Sequence, residues 1–258
     1  MPDVNASALS PLTPNRSDGQ DEVRPSLVEA LVSGFVESHE TTHADLEPML
    51  ISNESGHTME RAIKDELGSS RSFDMSVAFI SRDALFRLKQ YFLDFSGSNP
   101  HGSGRIFTST LNYFNSPDVF RELLQLQAAT NITVRVWQSI SAQHVQQTIT
   151  SYRYHPKGYI FRHTSDAAKP LYSAYVGSSN LTTNALNTNR DWNLRVSTLE
   201  QGGLYHQLSS EIDAQLEESV PLTDDWLAEY ERDFQRHPQL LQIPTRIDPH
   251  SPIVPNAM

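Results

Sequence analysis

The chain has 258 residues, a net charge of −11 and no cysteine. That length suffices for one sizeable core, the negative charge repels a phosphate polyanion or an anionic membrane at long range, and the missing thiols remove disulfides, thiolate nucleophiles and cysteine zinc sites. No apolar run approaches membrane-spanning length and no charged-then-apolar signal opens the chain, so the expected setting is the cytoplasm, without membrane contact.

Residues 1–25 are rich in Pro, Asn, Ser and Asp and read as a flexible leader, residues 26–237 as one domain, and residues 238–258 as a proline-rich extended linker. Leu27, Val28, Leu31, Val32 and Phe35 at helical spacing predict a first helix, started by Pro25-Ser26. His39-Glu40-Thr41-Thr42-His43 matches the H-E-x-x-H zinc pattern letter for letter. Paired β-branched threonines and the Asp45/Pro48 neighbourhood weaken helix here, and Leu46 stands where the extended pattern has glycine. The segment therefore reads as a polar loop, and no metal is expected.

Residues 58–67 predict an amphipathic helix (Met59, Ala62, Ile63, Leu67) closed by Gly68. A mostly apolar strand over 73–80 follows, then a helix carrying Ala84, Leu85, Leu88, Tyr91, Phe92 and Phe95, then a loop over 96–104. Residues 105–108 read as a strand, Ser116-Pro117-Asp118 starts a helix that ends near Ala129, and Ile132, Val134 and Val136 alternate as a strand. This β-α-β-α-β order implies an α/β fold, a sheet with helices packed on its faces. A Gln-rich polar stretch over 138–150 then leads to the part of the chain that carries chemistry.

That part holds His155-Pro156-Lys157, then Tyr175-Val176-Gly177-Ser178-Ser179-Asn180, then Arg190-Asp191-Trp192-Asn193. Residues two apart on an extended strand share a face, so His155 and Lys157 present an imidazole and an ammonium side by side, a pair suited to a phosphate. Pro156 cannot donate to a ladder, which predicts an edge strand or a bulge. Gly177 lets the chain turn tightly, and Asn180 is expected to open a helical run over 181–186. The N–H groups of that helix start, with the Ser178 hydroxyl and the Asn180 amide, would form a second anion-binding surface. Asp191 is a carboxylate able to fix a histidine tautomer. Arg153, Lys157, Arg162, Lys169, Arg190 and Arg195 could supply a local basic patch for nucleic acid. Beyond lie a strand over 193–197 and helices over 204–216 and 223–234, the last with a Trp226, Tyr230, Phe234 stripe that reads as core.

These residues resemble the phospholipase D superfamily, whose signature is His-x-Lys, then Gly-Ser-x-Asn, then an acidic residue: here His155, Lys157, Gly177, Ser178, Asn180 and Asp191, with Asp where Glu is commoner. Arg162 occupies the neighbourhood in which many members carry a further Asp. The wording from Gly177 to Leu194, with Ser76-Val77-Ala78-Phe79-Ile80 and Ile106-Phe107-Thr108-Ser109-Thr110-Leu111, is similar to the nuclease-type module at the N-terminus of bacterial superfamily 2 helicases. Ile253-Val254-Pro255-Asn256-Ala257-Met258 resembles the start of a helicase core, so covalently linked helicase domains are expected in a longer parent protein.

The resemblance implies a phospholipase D-like mixed sheet with helices on both faces and a metal-independent, cofactor-free phosphodiesterase, DNA being a more natural substrate than RNA. In that scheme His155 attacks phosphorus, Lys157, Ser178 and Asn180 hold the phosphoryl oxygens, and Asp191 orients His155. A second histidine protonates the leaving oxygen. The chain has one His-x-Lys, so a two-fold homodimer pairing His155 with its copy is expected. A catalytically weak nucleic-acid-binding domain is the alternative. Phospholipid headgroup hydrolysis is disfavoured by the lack of an apolar docking segment.

Overall fold

In the computed structural model, the described residues are 48–54, 56–138, 154–163 and 171–236. The expected leader, the first helix, the H-E-x-x-H segment, most of the Gln-rich stretch and the proline-rich tail lie outside them. In chain order the elements are β1 (Met49–Ile51), α1 (Met59–Ser69), β2 (Ser72–Val77), α2 (Arg82–Ser98), β3 (Ser103–Ser109), α3 (Pro117–Ala129) and β4 (Ile132–Trp137). They continue with β5 (Lys157–His163), β6 (Leu171–Gly177), α4 (Thr183–Asn187), β7 (Asn193–Leu199), α5 (Gly203–Glu218), β8 (Val220–Pro221) and α6 (Asp224–Arg236).

The fold is α/β, as the alternation of elements predicts. The strands form one mixed sheet in the order β1-β7-β6-β5-β2-β3-β4-β8. β2, β3 and β4 are parallel neighbours, and the remaining pairings are antiparallel.

Local chemistry accounts for the helices that cover this sheet. Thr58 Oγ1 accepts from Arg61 N at 3.2 Å and starts α1, whose Met59, Ile63 and Leu67 are buried. The helix passes through Gly68, where the sequence suggested a stop, and ends when Ser70 N bonds back to Glu66 O at 2.8 Å. Ser81 Oγ caps α2 through Ala84 N at 3.2 Å, and Pro117 takes the first turn of α3, where its missing N–H costs nothing.

One face of the sheet is buried under α1, α2, α3 and α6, with Phe73, Met75, Val77, Ile106, Val134, Tyr159 and Phe161 supplied by the strands. The Trp226, Tyr230, Phe234 stripe joins this core as expected, with Trp226 edge-on to Phe120 at 4.8 Å and stacked on Tyr230 at 5.1 Å. The other face carries a smaller cluster in which Ile212 of α5 meets Ala78, Phe107 and Tyr154. Helices do lie on both faces, but unequally.

β5 departs from the edge or bulge expected of a strand next to Pro156: it lies between β2 and β6. The proline sits one residue before the strand, and its carbonyl accepts from Ala78 N at 3.2 Å, so the missing donor falls beyond the last rung of the ladder. β1 and β8, three and two residues long, carry too little pattern for a sequence to announce.

Candidate active site

The ends of β2, β6 and the starts of β5 and β7 meet on one edge of the sheet. The register fixes this: Val77 pairs with Lys157, Gly158 with Val176, and Gly177 with Asn193. It is the carboxyl edge of the parallel strands, where open α/β sheets hold their ligands.

On that edge Lys157 Nζ lies 2.7 Å from His155 Nδ1 and 3.2 Å from Nε2, and donates to the His155 carbonyl at 2.8 Å. The imidazole is exposed, with its ring edge-on to Phe79 at 5.4 Å. Partial burial holds the His155 pKa below its ordinary value, and the Lys157 charge pushes it the same way. Burial also lowers the Lys157 pKa, against the attraction of Asp191, which raises it.

Ser178 Oγ donates to Asp191 Oδ1 at 2.7 Å and accepts from Trp192 N at 3.2 Å, while Ser178 N donates to Trp192 O at 3.1 Å. Asp191 thus engages Ser178 and the charge on Lys157, where the sequence suggested that it would orient His155 directly. Asn180 Oδ1 accepts from Phe79 N at 3.3 Å, which fixes the amide and leaves Nδ2 as the donor it can offer a ligand. All five expected site residues therefore gather at this edge.

The expected anion site on a helix start is not built. α4 begins at Thr183, and its N-cap is Thr182, whose hydroxyl accepts from Ala185 N at 3.4 Å. Thr183 N donates to Ser81 Oγ at 3.4 Å, so this donor is already taken. Among the described residues the basic patch does not assemble either. Arg190 pairs with Glu54, Arg195 faces Glu66 at 3.6 Å, Arg162 lies on the opposite face of β5 from Lys157, and Arg153 and Lys169 lie outside the described residues.

The site loop hangs on residues to which the sequence gave no role. Buried Asn193 accepts from Ser179 N at 3.2 Å and donates to Ser179 Oγ at 2.8 Å, and Tyr159 OH donates to Ser179 O at 3.0 Å. Gly177 is required by close approach: a Cβ there would stand 2.1 Å from Trp192 O and 2.6 Å from Asn193 Cα. Its backbone is not left-handed, so the reason is space and not the turn expected from sequence. Asn115, fully buried, accepts from Ile80 N at 2.7 Å and donates to Ala78 O, Thr108 Oγ1 and Ser109 O at 2.8–3.0 Å. It ties the end of β2, hence Phe79, to the end of β3. An asparagine just before a Ser-Pro helix start was the one cue the sequence offered.

A cavity of about 590 Å³ lies elsewhere, toward the far end of β5 and β6. Buried Glu66 lies in its wall, accepting from Tyr175 OH at 2.6 Å and paired with His163 Nε2 at 2.7 Å. No group of three or more potential metal ligands occurs among the described residues, and no described helix is long and apolar enough to cross a membrane.

No protein-family model and no curated protein matches the chain. Solved structures similar to it include NucT from Helicobacter pylori, at 16% identity and a TM-score of 0.47, covering 68% of this chain and 98% of that one. A phospholipase D family member, Nuc from Salmonella typhimurium, is similar at 15% identity and a TM-score of 0.43, over 68% of this chain and 98% of its own.

Proposed function

We propose that the chain is a phosphodiesterase of the phospholipase D type that cleaves nucleic acid through a phosphohistidine at His155. The observation that carries this reading is the gathering of an exposed imidazole, the Lys157 ammonium 2.7 Å from it, the Asn180 amide and the Ser178–Asp191 pair on one edge of the sheet. A phosphate placed there meets a nucleophile and two kinds of donor, the Lys157 ammonium and the Asn180 amide. The lowered His155 pKa keeps the ring neutral, as attack requires, at pH values where an ordinary histidine begins to protonate.

Lys157 first transfers its donor contact from the ring to a phosphoryl oxygen, which frees the imidazole lone pair. That lone pair forms the N–P bond as the P–O bond to the leaving sugar oxygen breaks, and the leaving oxygen takes a proton from a second imidazole. Water then attacks the phosphohistidine, gives its proton back to the second imidazole and restores His155. Lys157 and Asn180 Nδ2 stabilise the charge on the equatorial oxygens, while the Ser178 hydroxyl, donating to Asp191, holds that carboxylate in place.

The second imidazole is the partner subunit's His155 in a two-fold dimer. An apolar row supports this reading: Leu50, Leu194 and Val176 are direct cross-strand neighbours on β1, β7 and β6, each about half exposed (53%, 47% and 53%), and the row continues to Gly158 on β5. Trp192, next to Asp191 in the chain, is 68% exposed. The row lies on the sheet face opposite to Lys157, one residue in from the edge that carries the site, and an exposed apolar row of this kind fits a self-complementary interface between two copies. The proposed link to an ATP-dependent helicase rests on the resemblance of residues 253–258.

The test is to trap the intermediate. Protein quenched in alkaline detergent while turning over a labelled oligonucleotide should carry an adduct that survives alkali, is lost in acid, and is placed on His155 by mass spectrometry. An adduct on another residue, or turnover with none, would overturn the assignment of the nucleophile.

A further inference from the structure

The turn that follows β3 adopts a conformation its length does not require. Asn112 (φ 53°, ψ 22°) and Tyr113 (φ 53°) are consecutive non-glycine residues in the left-handed region, which L-residues avoid unless their surroundings hold them there. Both flanks do hold them. The Tyr113 ring stacks on Tyr230 at 5.9 Å and meets Phe234 at 6.0 Å, and its hydroxyl donates to Asp233. Asn115, next but one, is bound by its side chain to both strand ends, and its carbonyl accepts from Tyr230 OH at 2.7 Å.

Between these two anchors Phe114 turns outward. The residue is 48% exposed, and its ring lies 4.5 Å from the Phe79 ring, tilted by 37°. Phe79 in turn meets the His155 imidazole edge-on at 5.4 Å. A single exposed phenylalanine is ordinary. One aimed by a strained backbone, backed by a second ring and standing one ring away from the nucleophile calls for a function.

We propose that Phe114, backed by Phe79, is a stacking shelf for an unpaired nucleobase adjoining the phosphate held at His155. This rests on the nucleic-acid phosphodiesterase reading above and adds to it a substrate class, single-stranded polynucleotide. A base inside a duplex has both faces covered, whereas an unpaired base offers a face to an aromatic ring at little cost. The charge of the chain points the same way: at −11 the long-range attraction to a polyanion is missing and Arg190 and Arg195 are already paired to carboxylates, so stacking supplies affinity that net charge does not.

Fluorescence anisotropy with single-stranded and fully paired oligonucleotides, deoxy and ribo side by side, tests the shelf without depending on turnover. Phe114→Ala and Phe114→Leu should weaken single-strand binding roughly 5- to 150-fold, the range expected for loss of one stacked base. Phe114→Trp should restore it, and duplex binding should be weak in every case. Equal single-strand binding by Phe114→Ala, full retention by Phe114→Leu, or no single-strand binding by the wild type would overturn the proposal. So would a loss of binding that coincides with dissociation of a dimer in sedimentation, which would make the ring part of an interface between copies. Cleavage of bis(4-nitrophenyl) phosphate by wild type and His155→Ala, run in parallel, reports on the phosphodiesterase reading alone, so the two failures are distinguishable.

Discussion

Ser178 Oγ donates to Asp191 Oδ1 across 2.7 Å and, through Trp192 N, ties the end of β6 to the start of β7. This pair sets the charge near Lys157, whose pKa is lowered by burial and raised by Asp191. Asp191→Asn removes the opposing influence and lowers the Lys157 pKa further. Because the ammonium must be charged to hold a phosphoryl oxygen, the alkaline loss of affinity for a non-hydrolysable phosphodiester, read in binding because the acid imidazole limits turnover first, should move to lower pH in Asp191→Asn and remain near its original position in Asp191→Glu. The acid limb of the wild type, set by the lowered His155 pKa, should fall below the ordinary histidine value of 6.5.

Gly177→Ala should destabilise the fold and disable the site together. The added Cβ meets backbone atoms of Trp192 and Asn193 at 2.1 and 2.6 Å, which cannot swing aside as a side-chain tip would. Overpacking of this kind costs about 1–3 kcal/mol, read as a lower midpoint in urea unfolding at unchanged slope.

Glu66 gives the fold a defined acid sensitivity. Burial, the largest influence, raises its pKa, but hydrogen bonds from His163 and Tyr175 and the charges of His163 and Arg195 outweigh it and leave the value below the ordinary 4.5. A carboxylate whose pKa is lower folded than unfolded stabilises the native state above the unfolded value, and that contribution is lost as pH falls through the folded one. Glu66→Gln should therefore cost roughly 1.5–3 kcal/mol near neutrality, the worth of charge-assisted bonds, and flatten the stability profile below pH 4.5. Glu60, pulled down to about 2 despite burial by bonds from Arg87, Lys64 and Asn187, leaves some acid dependence in the variant. Urea unfolding from pH 3 to pH 7 checks both statements.

Leu194→Glu should convert the proposed dimer to monomer. Leu194 is the middle of the Leu50–Leu194–Val176 row and is 47% exposed, so the fold tolerates the charge while an apolar interface does not. Sedimentation velocity should show the change in mass with circular dichroism unaltered, and nuclease activity should fall with the dimer. A monomeric variant with full activity would remove the need for a second imidazole.

The helices were legible because their signals are local. Thr58 and the buried Met59, Ile63 and Leu67 can be read within α1 alone, and Pro117 announces α3. The composition of the site was legible for a similar reason, since His155 to Asp191 follow one another in a recognisable order. Relationships between distant segments were not legible. The central place of β5 depends on its pairing with β2, which no feature of residues 157–163 encodes. Whether Asp191 meets an imidazole or a hydroxyl is decided by where β6 and β7 end. Phe79 and Asn115 act through a main-chain amide, a ring face and a buried carboxamide, none of which makes a sequence pattern.

The most direct test of the central claim, that His155 is the nucleophile of a metal-independent nuclease, is incubation with single-stranded and plasmid DNA in excess chelator, wild type beside His155→Ala. Strand cutting that persists in chelator and disappears in His155→Ala is the predicted result. Cutting that requires an added divalent cation, or that His155→Ala retains, would contradict it.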